Sequence, residues 1–250
     1  MPITFFCHPL FSKSHPIVGS LSTTSPPMRL NLTLSPSTQP VPFNHLHQLT
    51  GALHKWLGKD NDQHDAISLY TFGWLHGGQA GSGALSFPNG SQWRLSFHEE
   101  SAMKAVLRGI LNDPEVMYGM HVTEAEQKET PAFGDRYLFK TDNAPVITRR
   151  RREDGSRAYL TYEDPQATET LTRTFRSRLR MAGLEGEHLQ SKVRFDRGYD
   201  GARTKVARIK GVDHKGSICP VIVEGTPEAV RFAWNVGVGE LTGSGFGALQ

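Results

Sequence analysis

The chain has 250 residues, a mass of 27.8 kDa, a formal net charge of +3 and a mean hydropathy of −0.42. That length suits one large domain or two small ones, and no apolar run approaches the ~18 residues of a membrane span. The two cysteines, Cys7 and Cys219, show no metal-ligand spacing, a usage that fits a reducing cytoplasm.

Residues 1–27 are rich in Ser and Pro and lack periodicity. They read as a disordered or non-native extension, with Met28 as the natural start. Alternation from Met28 to Leu34 predicts a half-buried strand. Pro42-Phe-Asn-His45 opens an amphipathic helix with Asn44 as N-cap, Leu46, Leu49, Leu53, Trp56 and Leu57 on one stripe, and Gly58 as its end. A polar loop follows, then strands at 67–72 and 93–97, the second paired with 83–87. A helix over 99–111 carries Met103, Val106, Leu107 and Ile110, and a strand runs over 117–122. The order β-α-β-β-α-β is that of a ferredoxin-like unit, here 28–128.

The second unit, 129–250, repeats the outline. Residues 136–141 and 145–149 read as extended, and 156–163 returns as a hairpin after Asp154-Gly155. Asp164 or Thr168 caps a helix carrying Leu171, Phe175 and Leu179. Strands are expected at 193–195, 204–210 and 219–223, and Gly225-Thr-Pro-Glu228 starts a last helix. The fold class is therefore α+β, two tandem ferredoxin-like (RRM-like) domains closed by a glycine-rich loop.

Charge is unevenly spread. Residues 144–215 hold 17 Lys and Arg against 10 Asp and Glu, including the run Arg149, Arg150, Arg151, Arg152. One face for a polyanion follows. Lys205, Arg208 and Lys210 add candidates, with Arg208 and Lys210 read onto one strand face and Lys205 onto the other. Eleven histidines are present, four of them at 45, 47, 54 and 64. None pairs with another in a zinc-like arrangement; His45 reads as capping or packing and His47 as facing solvent. Histidine suits general acid–base work near neutral pH. RNA supplies its own nucleophile in the 2′-hydroxyl, so cleavage needs orientation, a base, an acid and charge stabilisation.

The end of the chain is the most specific feature. Gly237, Gly239, Gly243, Gly245 and Gly247 alternate with Val236, Val238, Leu241 and Phe246. The pattern suits a structured loop whose backbone faces phosphate. The run from Pro220 through Gly247, an apolar strand, a short helix and a GxGE…GxGFG loop, resembles the closing segment of the CRISPR-associated repeat endoribonucleases of the RAMP superfamily. Pro42-Phe-Asn-His45 resembles that family's PxNH signature. His64-Asp65 ahead of Leu69-Tyr-Thr-Phe-Gly73 resembles the site of its catalytic histidine.

The resemblance covers residues 28–250 and implies an endoribonuclease that cuts precursor CRISPR RNA inside repeats, with no metal and no cofactor, leaving 2′,3′-cyclic phosphate and 5′-hydroxyl ends. It makes His64 the first acid/base and His54, at the place of a helix tyrosine in some members, the second. Where some members carry a lysine, this chain has Ile67-Ser68, so charge stabilisation must come from Lys55, Lys59 or an arginine. The implied partners are precursor and mature repeat RNA, with other effector subunits and a second copy of the chain also allowed, and no membrane. The alternative it leaves is a non-catalytic guide-RNA-holding subunit.

Overall fold

Strand β1 (Arg29–Leu34) buries Leu30, Leu32 and Leu34 at the centre of a five-stranded antiparallel sheet. The computed structural model describes residues 28–58 and 68–250. The expectations for 1–27, and for His64 in 59–67, lie outside the described residues. On one side β1 pairs with β5 (Ser91–Phe97), Leu32 facing Trp93, and β5 with β2 (Tyr70–Phe72); on the other it pairs with β7 (Met120–Lys128). The spatial order β2-β5-β1-β7, extended by β6 (Glu115–Met117), is the ferredoxin-like arrangement. Helices α1 (Leu46–Leu57) and α2 (Glu100–Asn112) cover one face, burying Leu49, Leu53 and Trp56, and Met103, Val106 and Ile110. Each such side chain removed from water contributes about 1.5–3 kcal/mol.

Two local expectations are corrected. The strand near 83–87 does not pair with β5: β4 (Ala84–Ser86) folds back on β3 (Gln79–Gly81), because β5 already has β1 and β2 on its two edges. Asn44 does not cap α1. His45 holds that position with no side-chain cap bond, its Nδ1 being 2.8 Å from the Pro42 carbonyl oxygen.

In the second half β11 (Lys192–Phe195), β14 (Val221–Glu224) and β8 (Arg136–Phe139) form a three-stranded sheet in that order. The missing fourth edge is supplied by the end of the chain: Gln250 and Lys140 exchange backbone hydrogen bonds of 2.8 and 3.0 Å, and Thr141 bridges Leu249. Helices α3 (Ala167–Met181) and α4 (Pro227–Val236) bury Leu171, Phe175, Leu179 and Phe232 against it. Asp164 and Thr168 do not cap α3; Gln166 holds the cap position, and the Asp164 carboxylate instead accepts from Thr161. Two hairpins stand outside the sheet: β9 (Thr148–Arg151) with β10 (Arg157–Leu160), and β12 (Arg203–Ile209) with β13 (Val212–Ile218). Lys210 falls in the second hairpin's turn at φ +47°, so it does not continue the face of Arg208.

The halves share a seam. Arg29 of β1 donates to the Trp234 and Leu249 carbonyl oxygens at 2.8 Å each and lies over the Trp234 ring at 3.3 Å. Among the described residues no helix is long and apolar enough to cross a membrane.

Candidate active site

The seam opens into a cleft of about 630 Å³. One wall is the first half: Thr50 and His54 on α1, then Ser68 and Tyr70. The other is the second half: Arg173, Thr174, Ser177 and Arg178 on α3, with the turn Gly239–Ser244 of the glycine-rich loop as floor. Helical spacing explains the first wall, since Thr50 and His54 are four residues apart and therefore neighbours on one side of α1.

His54 Nε2 lies 2.9 Å from the Tyr70 hydroxyl, the two rings edge to face at 6.5 Å. Burial pushes the Tyr70 phenol upward, opposed by a hydrogen bond with the Ser68 hydroxyl. At neutral pH Tyr70 is thus a protonated hydroxyl able to fix the imidazole of His54 at one nitrogen. Ser68, the first described residue after 59–67, lies in the cleft lining.

Arg178 is the most heavily committed residue here. It is 2 % exposed, and its guanidinium donates to the Ser68, Val236 and Gly237 carbonyl oxygens and to Thr242 Oγ1 at 2.8–3.2 Å. Its Nε has no partner among the described residues. Burial lowers its pKa to about 9, which still leaves it cationic at pH 7. One cation thereby ties Ser68 of the first half to the helix end and loop of the second, and leaves positive charge behind the cleft.

The glycine-rich loop is packed as much as it is presented. All five glycines are buried, Gly239 and Gly243 along the cleft and Gly237, Gly245 and Gly247 away from its lining. Gly247 has φ +65°, and a Cβ on it would strike the Val238 carbonyl oxygen. Glu240 fixes the loop from outside, accepting from Arg149 Nε at 3.0 Å and Nη2 at 2.5 Å, while its own N–H donates to the Ile147 carbonyl oxygen.

That bond takes Arg149 out of the exposed run. Arg150, Arg151 and Arg152 remain exposed on and after β9. Lys205 and Arg208 line a different groove of about 640 Å³, also between the halves, together with Phe43, His45 and Trp74. There Lys205 sits 3.9 Å over the Trp74 ring, and Arg208 grips Asp213 through two bonds of 2.7 and 2.8 Å. Lys55 is held by Asp113 at 2.8 Å and by the Glu115 carbonyl oxygen, so it is committed elsewhere. His45 is 5 % exposed and burial lowers its pKa. His47 is half-buried, with Nδ1 2.9 Å from the Asn44 carbonyl oxygen.

Sequence reasoning missed Tyr70, Arg173 and Arg178. Tyr70 was visible one residue into the strand that follows His64-Asp65. Arg173 and Ser177 have i,i+4 spacing on a predicted helix. Nothing in the sequence marks Arg178 as the one α3 arginine turned inward.

Residues 125–250, half of the chain, match the family model described as CRISPR associated protein Cas6, C-terminal. The chain belongs to the Cas6 family. This is a family of CRISPR repeat-processing endoribonucleases in the RAMP superfamily. Solved structures agree on the fold. A Cas6-related protein from Pyrococcus furiosus superposes with a TM-score of 0.79 at 18% identity, covering 89% of this chain and 97% of its own. A structure described as CRISPR associated protein Cas6 gives 0.74 at 20% identity, covering 89% and 98%. One described as an RAMP protein binding different RNA substrates gives 0.75 at 18% identity over the same shares. No curated protein matches the sequence. Membership of Cas6 accounts for the tandem ferredoxin-like architecture.

Proposed function

We propose that this Cas6-family chain cleaves precursor CRISPR RNA within its repeats, using the RNA's own 2′-hydroxyl as nucleophile in the cleft between the halves. The observation that carries the reading is His54, fixed 2.9 Å from Tyr70 in a cleft whose facing wall is cationic.

The chemistry balances without a group from outside. A neutral imidazole takes the 2′-hydroxyl proton, and O2′ attacks the adjacent phosphorus. The 5′-oxygen leaves and accepts a proton from an imidazolium, giving a 2′,3′-cyclic phosphate and a 5′-hydroxyl. His64 and His54 are the proposed acid/base pair. The phosphorane's extra charge falls to Arg173, exposed on the cleft wall, with Arg178 as a fixed positive charge behind it. Arg150, Arg151 and Arg152, with Lys205 and Arg208 in the second groove and Lys210 at the hairpin turn beyond it, are proposed to hold RNA outside the cleft, and the backbone of Gly239 and Gly243 to face its phosphate. This assigns the acting unit to 28–250, with its halves divided near residue 128.

The test is repeat RNA incubated with the protein in EDTA. Wild type is expected to cut at one site, and a 2′-deoxy substitution at that site to stop cutting. His54→Ala and His64→Ala should each slow the single-turnover rate by about 10²–10⁴ while RNA binding is retained. Tight binding with no cut by wild type would instead support the guide-holding subunit.

A further inference from the structure

Helix α3 carries a row of cations that starts at the cleft wall and runs away from it. Arg173, Arg176 and Arg180 stand at i, i+3 and i+7, which places them on one side of the helix. With Lys192 of β11 they line an open groove of about 660 Å³. Arg173 borders this groove and the His54 cleft alike, so the two meet at its side chain.

The charge there is uncompensated. Arg173, Arg180 and Lys192 are exposed, and none of the four cations is ion-paired with a described residue. Glu224, opposite Lys192 in the sheet, is taken by Arg136 and Arg194. Glu169 is the one carboxylate in the groove, and it sits in the helix's first turn, where the dipole favours it. Arg176 is held in place by the Ser191 and Gln190 carbonyl oxygens at 2.8 and 3.2 Å. The helix dipole explains Arg180 in the last turn; it does not explain Arg173 in mid-helix or Lys192 on a neighbouring strand.

We propose that this groove is a phosphate track for the RNA strand where it leaves the His54 cleft. The proposal rests on the reading that RNA occupies that cleft. From Arg173 to Arg180 the helix rises about 10 Å, enough for a short stretch of backbone beside the scissile phosphate. Arginine's fork suits phosphate oxygens. Contacts of this kind set affinity and register without reading bases.

The test compares wild type with Arg180→Gln/Lys192→Gln, two exposed positions outside the cleft lining, with thermal melts confirming an unchanged fold. Binding is measured with repeat RNA made non-cleavable by a 2′-deoxy sugar at the cut, over a range of salt. The double variant is expected to bind roughly 10-fold more weakly at low salt. Its slope of log K against log[salt] should be shallower by about 1.4, for two phosphates on a single strand. Its single-turnover cleavage at saturating unmodified RNA should be unchanged. RNA trimmed on one side of the cut should bind both proteins equally, whereas RNA trimmed on the other side should preserve the difference.

An unchanged slope in the double variant, beside a wild type that cuts, would overturn the track alone. A slope difference that survives both trims would overturn it too, as a general field and not a path. A wild type that binds without cutting, with the slope difference intact, would sink the nuclease reading and keep the track. No RNA binding by wild type would sink both.

Discussion

Gly51 and Gly247 show how differently one residue type is used. Gly51 lies exposed inside α1, with nothing within 4 Å of where a Cβ would stand. Gly247 is buried at φ +65° against the Val238 carbonyl oxygen. Gly51→Ala should therefore raise stability by about 0.5–1 kcal/mol through helix propensity. Gly247→Ala should lower it by roughly 2 kcal/mol or more, through left-handed backbone and a clash that only movement of the loop relieves. Urea melts read both, and shifts of the same sign would refute the contrast. The spacing of the C-terminal glycines was legible in the sequence, along with the apolar residues between them. That all five are buried was not, because local pattern carries no information about how closely a remote backbone approaches. Arg178 makes the same point: its inward turn depends on carbonyl groups at residues 68, 236 and 237, scattered along the chain.

At the scale of elements, α4 is where sequence and structure agree most fully. Thr226 is its N-cap, accepting from the Ala229 N–H at 3.2 Å, with Pro227 in the first turn. The other end presents the Val236 and Gly237 carbonyl oxygens to Arg178, so the helix joins a cap legible in sequence to a site that was not. Thr226→Ala should cost about 1 kcal/mol, with a further loss from the bond between Thr226 Oγ1 and His188 Nδ1 at 2.6 Å. Thr226→Ser should recover most of it; a Ser variant as unstable as Ala would place the cost in the lost methyl instead. Elements with strong periodicity, β1, α1 and α2, were read close to their bounds, and α3 by its apolar stripe of Leu171, Phe175 and Leu179. The helix starts at α1 and α3 were misread for one reason: Asn44 and Asp164 are good capping residues by type, yet local turns place His45 and Gln166 at the caps. The β3–β4 hairpin was misassigned because strand propensity does not say which edges of β5 are already filled.

Across the whole molecule, three buried or partly buried histidines, one of them packed across the seam, stay neutral only above a certain pH. His98, beside the start of α2, packs 5.0 Å edge-to-face on Phe232 of α4. His214 of β13 lies 5.7 Å from Phe246 of the glycine-rich loop and 3.2 Å from the Tyr159 hydroxyl. His45 stands at the head of α1. In all three burial is the main force lowering the pKa. Glu99 and Glu228 oppose it at His98 while Arg231 adds to it; Asp213 opposes and Arg149 adds at His214; at His45 His47 and Lys205 add, and the Pro42 carbonyl opposes. The unfolded chain therefore takes up these protons first, near the ordinary histidine value of ~6.5. Stability is full above that pH and falls as pH drops from there through the lower folded values. Asp113 and Asp213, held below the usual carboxylate range by Lys55 and Arg208, act in a separate and more acidic window. The expected profile is a flat unfolding free energy just above neutrality and a decline beginning near pH 6.5. His98→Phe should make that decline shallower by removing one titrating group from the seam without emptying it. A wild-type profile flat from pH 7 to 5 would show that these histidines do not tie stability to pH, and a variant with the same slope would show that His98 does not.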